Sequence, residues 1–166
     1  FTINSIYADI DGNLFDPHNG KKDLEEGVVK FIGEPEKRIK EDYLRILRYV
    51  RFYLNYSKHN HETEVKRIIK QNLAGIKIIS KERLLVELKK LVLSNGFLKL
   101  NDDPFCLEII MLIFPELKNL NLFKNLNSFA QNLIHSKSFI FLISLMVIDE
   151  SDNVEYFTYK YNLSNH

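Results

Sequence analysis

Apolar residues recur along most of this chain at steps of three and four, the spacing of an amphipathic helix. The beginning keeps a different rhythm. Ile6, Ala8 and Ile10 alternate with Tyr7 and Asp9, and Asp11-Gly12 supplies a turn before Leu14 and Phe15. That pattern predicts a hairpin. The stretch FDPHNGKKDLEEG reads as a turn followed by a short polar helix ending near Gly27. Val28–Ile32 reads as a short strand, and Gly33-Glu34-Pro35 opens the helical part.

From there the spacing predicts helices over Pro35–Lys40, Asp42–Tyr56, Glu62–Leu73, Lys81–Leu93, Pro104–Phe114 and Asn125–Ile134. Phe139–Ile148 and Asn153–Tyr161 are less distinct. Ser80 is placed to cap the Lys81 helix, and Ser94-Asn95-Gly96 to end it. The tail NLSNH reads as frayed. The fold class is mainly α with a small β element at the N-terminus.

The segment EDYLRILRYVRF, Glu41 to Phe52, raises the first question of chemistry. At about 100° per residue, Asp42, Arg45, Arg48 and Arg51 fall in one arc with Glu41. Tyr43, Ile46, Leu47, Val50, Tyr53 and Leu54 fill the opposite arc, which is expected to face the core. Leu44, Tyr49 and Phe52 sit inside the charged arc. A solvated face with ordinary Asp–Arg pairs, worth about 0.2–0.5 kcal/mol each, accounts for the charges. It does not account for two aromatics among them.

Composition narrows the field. Of 166 residues, 45% are hydrophobic and 27% charged, which is ordinary for a globular chain. No segment reaches the roughly 18 apolar residues of a membrane span. FIFLISLMVI, at Phe139–Ile148, falls short of that and is expected to be a buried helix. The single cysteine, Cys106, excludes a disulfide framework or a cysteine metal site. A reducing cytoplasm is the expected location. The opening carries no charged n-region with an apolar core, so no signal peptide is expected. The chain reads as a fragment starting mid-domain. Net charge is +1, but residues 1–100 hold 19 Lys/Arg against 14 Asp/Glu, a net of +5, and residues 101–166 hold 4 against 8, a net of −4. A polyanion would favour the first part.

The shapes of the charged groups suggest a second reading of the Glu41–Phe52 row. A carboxylate only accepts hydrogen bonds and a guanidinium only donates. Adenine presents an amino donor beside the N1 acceptor, and cytosine an amino donor beside N3 and O2. Both match one Asp–Arg edge. Guanine and uracil put a carbonyl where the amino group should be. Asp42 with Arg45 could therefore select A and C, while Arg48 and Arg51 meet phosphate or ribose.

EDYLRILRYVRF also resembles the nucleobase-recognition helix of class II tRNA nucleotidyltransferases (CCA-adding enzymes) and bacterial poly(A) polymerases. FTIN resembles the end of the family's RRDFTIN motif, and DGNLFDPHNGKKDL its DG…DPFxGxxDL segment. FIGEPEKRIKED resembles the entry to its neck, SKERLLVELKKLVLS its ER…E motif, and IFPELKNL its FPEL segment. Order and spacing agree from Phe1 to about Leu120. The resemblance implies that Asp42 and Arg45 pair with the base of ATP or CTP, and that Arg48 and Arg51 complete the nucleotide pocket. Thr2 would close the motif that senses the ribose. Asp16, Gly20 and Asp23 would belong to the element between palm and neck, where His18 replaces the usual Phe. Glu82, Arg83 and Glu87 would brace the reading helix, with Glu41 also supporting it. Read alone, Lys81–Leu93 is simply a charged, capped helix. The implied domains are 1–33, the edge of the nucleotidyltransferase palm sheet; 34–100, a helical neck; and 101–166, the start of a helical body.

Nucleotidyl transfer also needs divalent metals, Mg2+ in the complete enzyme, held by carboxylates. In the family these lie upstream of the FT that opens this chain. Asp9 and Asp11 copy a DxD spacing, but Asp11 reads as a turn residue and Asp9 as the outward position of a strand. His59 and His61 are expected to be solvated. No catalytic residue and no metal ligand is therefore expected here. The implied partners are tRNA or another RNA 3′ end, ATP and CTP, and a separate catalytic palm fragment. CCA and poly(A) addition both fit these motifs. The competing readings are a stand-alone RNA-binding or scaffold module and a nonfunctional remnant of a split gene.

Overall fold

A computed structural model describes residues 1–163; the last three residues of the predicted frayed tail lie outside the described residues. The chain divides into two compact units, one from Phe1 to Gly75 and one from Ile76 onward. The fold is mainly α, with one small antiparallel sheet near the start.

The first unit opens with a 3-10 turn at Thr2–Asn4. The predicted hairpin follows as β1 (Tyr7–Ala8) and β2 (Leu14–Phe15), with Tyr7 opposite Phe15 and Ala8 opposite Leu14. Gly12, at φ +83°, closes its turn, a conformation that glycine adopts without steric cost. α1 (Gly20–Glu26) ends at Gly27, whose N–H bonds the Leu24 carbonyl. α2 (Pro35–Glu41) starts with proline in its first turn, where the missing N–H is no loss. α3 (Arg45–Tyr56) and α4 (Thr63–Asn72) complete the unit, and α2 packs on both.

Two expectations change here. Val28–Ile32 is not a strand, and its backbone is used otherwise. The Lys30 carbonyl accepts from Thr2 N–H, and Val28 N–H donates to Asp23. Phe31 buries its ring 4.5 Å from Phe1 and 5.9 Å from Tyr49, nearly parallel to the latter. Second, the helix expected from Asp42 begins at Arg45. Asp42 is extended, at φ −155° and ψ 102°, and breaks α2 from α3.

The second unit contains α5 (Lys81–Val92), α6 (Pro104–Ile113), α7 (Ser128–His135), α8 (Phe139–Val147) and α9 (Asn153–Lys160). Ser80, Asp103, Asn127 and Ser138 cap α5, α6, α7 and α8 with side-chain oxygens, as short polar residues do at helix starts. Two 3-10 stretches, Asn95–Asp102 and Leu120–Phe123, were not predicted. They bury Phe97, Leu100, Leu120 and Phe123, and the two phenylalanine rings meet edge to face at 5.0 Å. Ile109, Ile110, Phe114, Leu142 and Met146 are fully buried with them. Cys106 lies inside this core, and burial drives its thiol pKa far up. α8 corrects another expectation: Leu142, Ile143, Met146 and Val147 are buried, but Ile140 is 69% exposed. The helix has one inner face.

A buried polar cluster ties α9 down. Asn153 Nδ2 donates to the carbonyls of Glu116 and Val147, at 2.9 and 2.7 Å. Lys160 Nζ meets Glu116 Oε1 at 2.5 Å. Tyr161 is buried beside them, and desolvation, followed by the Glu116 charge, raises its phenol pKa.

Candidate functional site

The break at Asp42 shapes the charged row. Leu44 N–H donates to Asp42 Oδ1 at 3.2 Å, and Arg45 N–H to the Asp42 carbonyl at 3.0 Å. This local capping of the turn explains why Asp42 leaves the helix. Asp42 therefore stands at the head of α3 rather than on its wheel. Arg45, Arg48 and Arg51 follow on the helix itself, each half-buried.

Glu41 is the hub of the joint. Arg45 Nη1 donates to Glu41 Oε2 at 2.6 Å and to the Arg38 carbonyl at 2.6 Å. Arg38 Nη1 reaches both Glu41 oxygens, and Arg38 Nε donates to the Ile32 carbonyl. The bonds from Arg45, then Arg38, hold the Glu41 carboxyl below its ordinary range. Such exposed pairs add little stability, but they fix a direction. Among the described residues, Nη1 makes all of the Arg45 guanidinium's hydrogen bonds. Nε and Nη2 remain as two parallel donors on one edge.

The aromatics inside the predicted charged arc find partners. Tyr49 and Phe52 are buried. Phe1 meets the Phe52 ring edge-on at 5.1 Å, and Phe31 stacks on Tyr49. The arc is thus a seam against the opening segment, not a solvated face. Arg51 lies over the Phe52 ring at 4.4 Å, a cation–π contact. Thr2 is buried beside this cluster. Its N–H donates to Lys30, its carbonyl accepts from Ser5, and its Oγ1 has no partner among the described residues.

Asp16, Gly20 and Asp23 build one corner. Asp16 accepts from the N–H groups of Gly20 and Lys21, at 2.7 and 2.8 Å. Gly20 lets the Thr2 carbonyl approach: a Cβ there would lie 2.2 Å from that oxygen. Asp23 is buried and meets Lys30 Nζ at 2.8 Å. His18 is exposed.

The histidines are not simply solvated. His61 Nδ1 lies 2.9 Å from the Tyr49 hydroxyl, and its ring stacks on Tyr53 at 3.5 Å. His59 Nε2 lies 3.0 Å from the Glu26 carbonyl. These contacts come from segments far apart in sequence, which no local pattern reveals. Arg38 was missed for a different reason. Its step of three to Glu41 was readable, but its role at Arg45's anchor was not.

Asp9 is a turn residue, not the outward strand position expected. It accepts from Asp11 N–H, Asn13 N–H and Asn13 Nδ2, and these bonds, Asn13's first, lower its pKa. With both oxygens committed to the hairpin loop, the Asp9–Asp11 pair does not fit a divalent ion. On α5, in the second unit, Glu82 and Arg83 are exposed and Glu87 is buried. Lys90 Nζ lies 3.7 Å from Glu87.

No family model matches the chain. Curated proteins do. Over 96 residues, 57% of this chain, it is 47% identical to CCA tRNA nucleotidyltransferase 1, mitochondrial, of Homo sapiens, covering 22% of that protein. It is 38% identical over 96 residues to the CCA-adding enzyme of Staphylococcus saprophyticus, covering 23% of it. Against the CCA-adding enzyme of Staphylococcus epidermidis, identity is 27% over 165 residues, 96% of this chain and 38% of the relative. The chain is similar to part of these CCA-adding enzymes. These CCA-adding relatives are nucleotidyltransferases. The chain spans between about a fifth and two fifths of their length. No single helix among the described residues is long and apolar enough to cross a membrane.

Proposed function

We propose that this chain supplies nucleobase selection to an RNA 3′-end nucleotidyltransferase, with ATP and CTP as substrates and tRNA as acceptor. The relatives' names favour CCA addition over poly(A) addition. The observation that supports the reading is the anchoring of Asp42 and Arg45, each by its own contacts, at the α2–α3 joint. Asp42 is fixed as an acceptor at the head of α3, and Arg45 is gripped at Nη1 so that Nε and Nη2 point as a fork. An amino donor would meet Asp42 while the adjoining ring acceptor meets Arg45. Arg48 and Arg51 would hold the phosphates or ribose, and Thr2, which is buried, would close the ribose-sensing motif. Glu41 positions Arg45. Glu82, Arg83 and Glu87 would have the supporting role that the resemblance implies.

The phosphoryl chemistry belongs elsewhere. Magnesium would activate the RNA 3′-hydroxyl and neutralise the phosphates, and the Asp9–Asp11 pair, with Asp9 engaged in its own loop, does not fit it. A palm, in the same or another polypeptide, would supply the carboxylates. Residues 1–33, 34–100 and 101–166 would then be palm edge, neck and the start of the body.

Titration calorimetry with the four nucleoside triphosphates tests the reading. ATP and CTP should bind more tightly than GTP and UTP. Asp42→Ala should erase that preference, a loss of about 1–3 kcal/mol for one polar partner. Equal binding of all four by the unaltered chain would sink base selection. The net +5 of residues 1–100 favours a second reading, RNA binding without nucleotide selection. RNA binding that falls steeply with salt, with no preference among the triphosphates, would support it.

A further inference from the structure

The second unit carries a trough that nucleotide selection does not use. α8 packs against α5 and α9, and the three enclose a groove of about 560 Å3 walled by Val86, Ile140, Ile143, Ile148 and Val154. A second hollow along α9 shares Val154, Thr158 and Leu163 with it, so the trough continues along that helix. Ile140 is 69% exposed and Val86 51%. The wall offers little to orient a small polar ligand: the Ser144 hydroxyl is spent on the Ile140 carbonyl of its own helix. Small-molecule sites carry several convergent polar groups.

The segment that joins two lining residues, Ile148 and Val154, is acidic, and Glu155 lines the second hollow. Between Ile148 and Val154 the chain carries Asp149, Glu150 and Asp152, with Glu155 just beyond. Asp149 is engaged by Ser151. Glu150, Asp152 and Glu155 are exposed and have no ion pair among the described residues. The α5 wall contributes a cation, Lys89. An open apolar trough with unpaired carboxylates on the adjoining segment matches an amphipathic helix with a basic flank. Its apolar stripe at i, i+3, i+4 and i+7 would fill the floor, and its cations would lie over the acidic loop.

We propose that this trough docks an amphipathic helix of a partner protein, with the helix's Lys or Arg residues facing the 149–155 segment. The probe is a synthetic helix of about five turns, with a leucine stripe and lysine flanks, read by fluorescence anisotropy. A matched peptide carries glutamate in place of lysine. The lysine peptide should bind saturably and more weakly at high salt. The glutamate peptide should bind about tenfold more weakly. Ile140→Glu should abolish binding, and Glu150→Lys with Asp152→Lys should weaken it several-fold. These side chains are exposed, and unchanged circular dichroism would verify folding. Equal binding of both peptides, no binding, or binding untouched by Ile140→Glu would overturn the proposal. So would a dimer in sedimentation that Ile140→Glu disperses, since the occupant would then be a second copy.

Discussion

Gly20 shows how much one absent methyl group decides. The Thr2 carbonyl occupies the space where its Cβ would stand. Gly20→Ala must push the opening turn off α1, and should cost about 1–3 kcal/mol in a urea melt, as overpacking does. Glu41 makes a second residue-scale prediction. Its folded pKa lies below the ordinary 4.5 because Arg45 and Arg38 donate to it. The stabilising contribution is therefore fully present above that value and is lost as pH falls through the lowered one. A carboxyl-carbon NMR titration should show Glu41 titrating below free glutamate, and Arg45→Met should move it back up. An unshifted midpoint would remove Glu41 as Arg45's anchor. The charged types and their three-residue steps were legible in the sequence. Which carboxylate grips Arg45 was not, because the extended backbone at Asp42 rotates that residue off the helical wheel.

At the scale of elements, apolar spacing located α2 to α7 with ends shifted by a few residues, turn signals located the polar α1, and α8 and α9 stand where the spacing was less distinct. It failed at Val28–Ile32. An apolar run of that length suits a strand, but a strand needs a neighbouring ladder, and this segment spends its backbone bonds on Thr2 and Asp23. It also failed at the 3-10 stretches, which follow the packing of Phe97 and Phe123 rather than a repeat. The attachment of α9 offers a sharp test. Lys160→Met strands the nearly buried Glu116 carboxylate. That should cost about 3–5 kcal/mol, whereas adding Glu116→Gln should recover much of the loss. Equal melting temperatures for the single and double variants would show that the pair does not hold α9.

For the whole molecule, the division after Gly75 had no compositional signal. LAGIKI, at Leu73–Ile78, runs through it as a 3-10 stretch with no Pro- or Ser-rich linker. The family motifs were legible because each is a short pattern in fixed order. The histidine contacts and the apolar trough arise only when distant segments meet. The proposed division of labour makes a prediction at this scale. Incubated with ATP, CTP, magnesium and tRNA, the chain alone should extend no 3′ end, and a palm fragment should restore extension. Robust magnesium-dependent extension by the chain alone would overturn it.

Cys106 is the chain's single cysteine, fully buried in the second unit, with a thiol pKa driven far up by desolvation and then by Asp103. A thiolate is the species that reacts with disulfide reagents, so the folded protein should resist labelling and each opening event should expose one reporter. The rate of colour release from an aromatic disulfide then becomes a clock for that unit alone, readable without any engineered probe.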